Sequence, residues 1–419
     1  MPSAFIEADY LLETPGDVRR VAEFMAGEQS SGTFVAIPGE TPELKARVAA
    51  QVVRLEMLDE ASAPALPSAR VNASRDRRYQ RALATLSWPI DTLGPSLPNL
   101  LATVAGNLFE LGPVTGLKLL DLRLPDAFAE AYAGPRFGIE GTRRLAGVEG
   151  RPIIGTIIKP SVGLGPQETA DLVEELCRAG IDFIKDDELQ SDGPACPFDA
   201  RVAAVMRVID RHAQKTGKKP MYAFNLTGDL DQMRRRHDIL LKYGATCMMA
   251  SLNSVGLVGM IELARFGQLP IHAHRNGWGY LSRHPLLGWS YIAWQKIWRL
   301  AGADHMHVNG IGNKFAEDDA SCIASARECL TPMFASRSCA VMPVFSSAQT
   351  ARQAPATYQG LGSADLIVTA GGGVMAHPQG AAAGVAAMQE AWQAALEGVP
   401  LDEFARNRPN LRQALDMAA

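Results

Sequence analysis

The sequence predicts an α/β protein in which a ferredoxin-like α+β domain (residues 1–133) precedes a (β/α)8 TIM barrel (residues 134–419). Three observations predict it. Eight short apolar runs recur from Pro152 onward, near 152–158, 181–185, 220–225, 246–251, 269–274, 303–308, 340–345 and 365–369. Their spacing of roughly 25–40 residues is that of successive strand–helix units in an eight-unit barrel. The texture changes near Gly134-Pro135, before which longer strand-like runs alternate with two helical stretches, and no dinucleotide-type glycine fingerprint supports a doubly wound sheet instead.

In chain order, residues 4–11 read as a strand, and Pro15-Gly-Asp17 opens a helix through about Met25, since Pro and Asp suit a helix start. Thr33–Ile37 and Val48–Leu58 are the next strand candidates. Residues 60–75, rich in Ala, Pro and Ser, read as a loop. Tyr79–Trp88 is a strand, Leu97–Gly106 a helix and Leu117–Leu122 a last strand. A β-α-β-β-α-β order with one additional strand is ferredoxin-like. In the barrel, Pro166–Ala179 is amphipathic, with Leu172, Leu176 and Ala179 on one side and Glu168, Asp171, Glu174, Glu175 and Arg178 on the other. Gly180 ends that helix as a C-cap. The Ala-rich stretch after Gly380 reads as a buried or docking helix with Glu390 and Gln393 on its polar side.

A length of 419 residues suits two domains, and 47% hydrophobic with 21% charged residues is ordinary soluble globular composition. A net charge of −4 gives no basic footprint for nucleic acid. The six cysteines are scattered without a C-x-x-C pair, which favours reduced thiols over a disulfide framework or zinc site. No basic-then-apolar leader and no membrane-length apolar run is visible, so a cytoplasmic protein with no membrane partner is expected.

The chemistry centres on Ile181-Asp-Phe-Ile-Lys-Asp-Asp-Glu188. On a strand Lys185 and Asp187 share a face while Asp186 points the opposite way, and Glu188 can turn back beside Asp187. Two carboxylates at a strand end make a hard-oxygen site suited to Mg²⁺. An ammonium there is repelled by the cation unless it pairs with an acid or becomes an anion. Taken alone, such a charge run reads first as an ordinary solvated acidic loop after a strand. Lys159 ends the first barrel strand, where a lysine is either an ordinary surface residue or, in a desolvated metal pocket, an acid or base. His272 and His274 form one H-x-H and His305 and His307 another, each pair on one strand face. Zinc is an alternative that the nearby acids and the lack of cysteine ligands disfavour. Asn309-Gly-Ile-Gly-Asn-Lys-Phe315 is a glycine-containing loop carrying Lys314, Ser346 ends the seventh strand, and Gly371-Gly-Gly373 follows the eighth, where barrels commonly bind phosphate through backbone N–H groups.

Gly155-Thr-Ile-Ile-Lys-Pro-Ser-Val-Gly-Leu-Gly165, Lys185-Asp-Asp-Glu188 and Ile271-His-Ala-His-Arg275, in this order, resemble the RuBisCO superfamily over most of the chain. The resemblance implies that CO2 carbamylates Lys185 and that the carbamate, Asp187 and Glu188 bind Mg²⁺. It gives Lys159 and His274 proton-transfer roles, and makes Lys314 the lysine of a mobile loop that closes over substrate. It implies that Arg275 and His307, with Ser346, grip an anionic end of the substrate, while Gly371, Gly372, Lys314 and Thr33 form a phosphate end. Glu28-Gln-Ser-Ser-Gly-Thr33 and Asn107 resemble segments that complete a neighbouring subunit's barrel, which implies a homodimer with shared sites. The blander readings are that Glu28 and Asn107 cap local structure and that His272 and His305 are satisfied in the barrel wall.

Five positions depart from the carboxylase pattern. Ser161 stands where carboxylases have lysine, Ile157 where they have threonine, Trp278 where they have histidine, Phe34 where they have tryptophan and Ala348 where they have glycine. A neutral hydroxyl at 161 gives little stabilisation to a carboxylated intermediate, and Trp278 is expected to fill the pocket. The chain is therefore expected to be a RuBisCO-like protein of the form IV type rather than a CO2-fixing enzyme. The resemblance then implies a Mg²⁺-dependent enolate-forming lyase or hydrolase acting on a phosphorylated keto-sugar acid such as 3-oxo-isoapionate 4-phosphate. The alternatives are an enolase or isomerase of a methylthioribulose-type sugar phosphate and a catalytically silent regulatory protein.

Overall fold

The structure is a computed structural model that describes residues 4–32, 37–66 and 78–417. Thr33, Phe34, most of the strand expected over 33–37 and part of the loop expected over 60–75 lie outside the described residues. The first strands are β1 (Phe5–Thr14), β2 (Gln51–Ala61), β3 (Tyr79–Pro89) and β4 (Gly116–Arg123). They are followed by β5 (Ile153–Ile157), β6 (Phe183–Lys185), β7 (Met221–Asn225), β8 (Cys247–Ser251) and β9 (Ile271–His274). The last four are β10 (Leu287–Trp289), β11 (His305–Asn309), β12 (Met342–Phe345) and β13 (Ile367–Thr369).

The chain divides into two compact units at Ala133/Gly134, but 277–300 and 333–338 return to the first unit, so neither is one contiguous stretch. In the first unit the sheet order is β10-β4-β1-β3-β2, a ferredoxin-like antiparallel 4-1-3-2 core with β10 added in parallel at the β4 edge. Alternate residues of β1 (Ile6, Ala8, Tyr10, Leu12) are fully buried, the period-2 signature of a one-faced core. Helix Val18–Glu28 starts at Asp17, whose side chain accepts from the Arg20 N–H, and buries Val18, Val21, Ala22 and Met25. One expectation is corrected: Val48 ends a helix, Pro42–Val48, rather than beginning a strand. Thr41 caps this helix and Pro42 sits in its first turn, both strong start signals.

In the second unit all eight expected barrel strands form and close in the order β11-β12-β13-β5-β6-β7-β8-β9, every pair parallel. Ile153, Phe183, Met221, Ala223, Cys247, Met249, Met342, Val344 and Ile367 fill the interior. The register Ile157↔Lys185↔Ala223 fixes how far Lys185 projects toward the carboxyl ends of the strands, where barrel chemistry is built. Helix Pro166–Arg178 and the buried helix Ala381–Glu397 lie where the periodicity predicts.

Candidate active site

Lys185 ends β6 with 1% exposure. Its Nζ donates to the Asp186 carbonyl (2.9 Å), lies 3.8 Å from Met249 Sδ and 3.7 Å from Glu188 Oε2. Burial pushes its pKa below that of an ordinary lysine, against the opposing pull of Glu188 and Asp187. Strand alternation sends Asp186 the other way, where it accepts from Tyr222 Oη (2.6 Å), the Asn225 N–H (2.9 Å) and Arg201. Arg201, fully buried, also donates to the carbonyls of Cys196 and Ser191 and so staples down the loop after β6. Sequence reasoning missed Arg201 and Tyr222; the acid at 186 was visible, but its partners lie on separate elements.

Asp187 Oδ2 accepts from Lys159 Nζ at 2.8 Å, and the same ammonium donates to Ser161 Oγ at 2.7 Å. Burial alone would raise the Asp187 pKa, but the Lys159, Leu189 and Ser161 hydrogen bonds outweigh it and hold the carboxyl below its usual range. His274 Nε2 faces Glu188 Oε2 at 3.4 Å, and its Nδ1 lies 3.2 Å from both the backbone nitrogen and Oδ1 of Asn276. Burial and the Lys185 charge pull the His274 pKa down to about 4, partly offset by Glu188. Lys159, Lys185, Asp187, Glu188 and His274 thus converge, with Ser161 among them. Among the described residues no three His, Cys, Asp or Glu side chains gather as a metal-binding set. The donors present here are two carboxylates and a buried amine biased toward its neutral, nucleophilic form. That set fits a divalent cation only once the amine has become an anion.

Arg275, 7% exposed, ion-pairs with Glu317, which also accepts from Asn309 Nδ2 (2.8 Å) and Ser321 Oγ (3.0 Å). Sequence reasoning missed Glu317, an acid in the loop after β11 with no motif around it. His307 Nδ1 lies 3.1 Å from Ser346 Oγ, and its Nε2 lies 2.7 Å from His272 Nε2. His272 Nδ1 is 3.3 Å from His305 Nδ1, and His305 Nε2 is 2.9 Å from Thr142 Oγ1. Lys314 is exposed, its ammonium 5.4 Å from the Phe315 ring, and it is not brought into the cluster. Gly371 begins a short helix after β13, and a Cβ there would lie 3.7 Å from Lys159 Cε; around Gly372 no atom comes within 4 Å of such a Cβ.

In the first unit Asn107 Nδ2 donates to Glu28 Oε1 at 3.2 Å. Trp278, expected to fill the pocket, is 7% exposed, its ring packed 4.9 Å from Trp294 and 5.5 Å from Tyr291. Ala348 keeps a left-handed backbone (φ 59°) where carboxylases have glycine.

The fold and these residues define a parallel-barrel protein of enzyme type, with its ionisable groups at the carboxyl ends of β5, β6 and β9. The chain belongs to the ribulose bisphosphate carboxylase large-chain family: its catalytic-domain model matches residues 138–417 and its N-terminal-domain model residues 13–128. The chain is 59% identical to the 3-oxo-isoapionate-4-phosphate transcarboxylase/hydrolase of Xanthobacter autotrophicus, over 98% of both sequences. It is 45% identical to the 3-oxo-isoapionate-4-phosphate decarboxylase of Rhizobium etli, again over 98% of both. Among solved structures, a rubisco-like protein from Burkholderia fungorum matches with a TM-score of 0.92 at 47% identity, covering 99% of this chain and 100% of that one. The dimeric archaeal Rubisco from Hyperthermus butylicus matches with a TM-score of 0.84 at 28% identity, covering 99% of this chain and 95% of that one.

Proposed function

We propose that this chain is a Mg²⁺-dependent enzyme that cleaves the β-keto acid 3-oxo-isoapionate 4-phosphate, with carbamylated Lys185, Asp187 and Glu188 as metal ligands. The observation that carries this reading is the 59% identity to a transcarboxylase/hydrolase, against 45% to decarboxylases. The contrast favours carbon–carbon cleavage with water over simple loss of CO2. CO2 fixation on ribulose bisphosphate is not its reaction, in keeping with Ser161 beside Lys159.

The buried Lys185, as its neutral amine, would attack CO2 and lose one proton, giving the third anion of the set. Bound there, Mg²⁺ would supply a Lewis acid that lowers the cost of negative charge on the substrate's keto oxygen. Lys159 Nζ donates to Asp187, and His274 Nε2 faces Glu188. When those carboxylates turn to a cation, both side chains are released for proton transfer with the substrate. Backbone N–H groups of Gly371 and Gly372, with Lys314 and Thr33, are assigned to the phosphate; Arg275, Ser346 and His307 line the other end. Glu28 and Asn107 are assigned to the neighbouring barrel of a homodimer, and the dimeric archaeal relative supports that assembly. The six buried free cysteines suit the cytoplasm.

The test is incubation of the purified protein with 13C-carboxyl-labelled substrate, Mg²⁺ and bicarbonate, read by NMR. Hydrolytic cleavage leaves the label in a carboxylate product. Labelled CO2 as the sole fate would assign a decarboxylase instead. Turnover of a methylthio-sugar phosphate with no attack on the keto acid would overturn the reading in favour of an enolase or isomerase.

A further inference from the structure

A continuous row of hydrogen-bonding groups crosses the barrel wall: Thr142, His305, His272, His307 and Ser346. All five are buried, and Thr142 lies in helix Gly138–Ala146 while Ser346 follows the end of β12. With neutral imidazoles, the direction of every hydrogen bond in this row is set at the Thr142 end. Thr142 Oγ1 donates its single proton to the Gly138 carbonyl, which can only accept. Toward His305 it therefore accepts, so the His305 proton sits on Nε2. That leaves His305 Nδ1 bare, and His272 must donate from Nδ1. The bare Nε2 of His272 then requires His307 to donate from Nε2. The remaining nitrogen, His307 Nδ1, accepts the proton of Ser346.

With three neutral imidazoles each contact in the row receives one proton, the last from the Ser346 hydroxyl. Burial, the leading cause in each case, favours the same neutral state by pushing the pKa values of all three histidines down. A proton-conducting role fails on the same geometry, because the row ends at the Gly138 carbonyl, which passes no proton on.

We propose that Thr142 is a positioning residue which, through His305 and His272, locks His307 as the Nε2–H tautomer and turns Ser346 into a hydrogen-bond acceptor toward the substrate. Ser346 then recognises a hydroxyl, or another donor, on the sugar acid rather than its phosphate or carboxylate. This rests on the proposed reaction for its substrate class, but the tautomer itself does not. Arg275, already matched by Glu317, leaves the same end of the site without an uncompensated positive charge, which fits a polyol end.

Thr142→Val tests the lock. Valine keeps the size of the side chain but removes the acceptor, which strands the His305 Nε2–H against a methyl group. An orphaned buried N–H is worse tolerated than a bare acceptor, so the row reverses. His307 gains a proton on Nδ1 and the Ser346 hydroxyl swings out as a donor. Histidine-selective 15N NMR of the resting protein should show His307 protonated at Nε2 in wild type and Thr142→Ser, and at Nδ1 in Thr142→Val. With 3-oxo-isoapionate 4-phosphate, kcat/KM should fall about 10-fold or more in Thr142→Val, the scale of lost outer partners of site histidines, and stay near wild type in Thr142→Ser. A wild-type His307 protonated at Nδ1, or an unchanged tautomer in Thr142→Val, overturns the lock even if that variant is less active. A reversed tautomer with unchanged kcat/KM overturns the role in recognition. Because the tautomer is read without substrate, failure of the proposed reaction would leave that result standing and be seen separately.

Discussion

The Lys159 ammonium lies 2.8 Å from Asp187 Oδ2, so in the resting protein a lysine and any divalent cation compete for the same carboxylate. The Lys159 side chain is 41% exposed, which limits the ion pair to about 1 kcal/mol. Lys159→Met should therefore bind Mg²⁺ about 5-fold more tightly in bicarbonate buffer. Its turnover should fall by about 100-fold or more, since a positioned proton donor is gone. Titration calorimetry measures the first quantity, and weaker Mg²⁺ binding in Lys159→Met would refute the competition. Lys185→Ala, in the same titration, should lose the bicarbonate dependence altogether.

Ribulose bisphosphate should give no fixation of labelled CO2, and Ser161→Lys should not create it. Lys159 Nζ already lies 2.7 Å from Ser161 Oγ, so a second ammonium there would meet the first. Labelled product from the unmodified protein would show that the departures at 157, 161 and 348 are tolerated by carboxylation.

Arg275 and Glu317 are both largely buried, with side-chain exposures of 8% and 15%. Arg275→Ala should cost about 3–5 kcal/mol of stability in urea unfolding, because it strands a buried carboxylate. Arg275→Ala/Glu317→Gln should recover most of that loss. Equal stability of the single and double variants would mean that Asn309 and Ser321 satisfy Glu317 unaided.

Asp182 is fully buried and accepts from Arg151 (2.6 Å), Lys218 (2.7 Å) and the Ile154 N–H (3.0 Å), tying β5 to β6. Burial raises its pKa, but the two cations outweigh it, so the folded value lies below 3.8. The sign follows. A depressed carboxyl pKa adds stability that is present above 3.8 and lost as pH falls through the folded value. Asp182→Asn should cost about 1–3 kcal/mol at pH 7. The gap to wild type should narrow in unfolding curves taken below pH 3; a gap independent of pH would assign the loss to packing.

The barrel was legible because each strand is a short apolar run set off by a helix of clear period, and Lys185, Asp187 and Glu188 because a charge cluster ends one such run. Helix Pro42–Val48 was not, since it buries none of its residues and so writes no apolar stripe. The spacing of His305 and His307 placed them on one face, but Thr142 belongs to another element and nothing near it in sequence announces the contact. Glu317 was hidden for the same reason, its partner Arg275 being distant in the chain. Periodicity reports the neighbours a residue has on its own strand or helix, and side-chain partners across the barrel leave no trace in it.

The edge position of β10 bears on how the protein is made. β4 leaves the ribosome with one edge already matched to β1, while the partner for its other edge, Leu287–Trp289, has yet to be synthesised. At typical elongation rates that edge waits roughly 10 s or longer. A waiting edge is a template for strands of other nascent chains. Lys118, at the centre of the stretch 117–119 and opposite Gly288, puts a charge on the edge that waits, a common guard against such pairing. A gene cut at residue 133 would make the wait permanent.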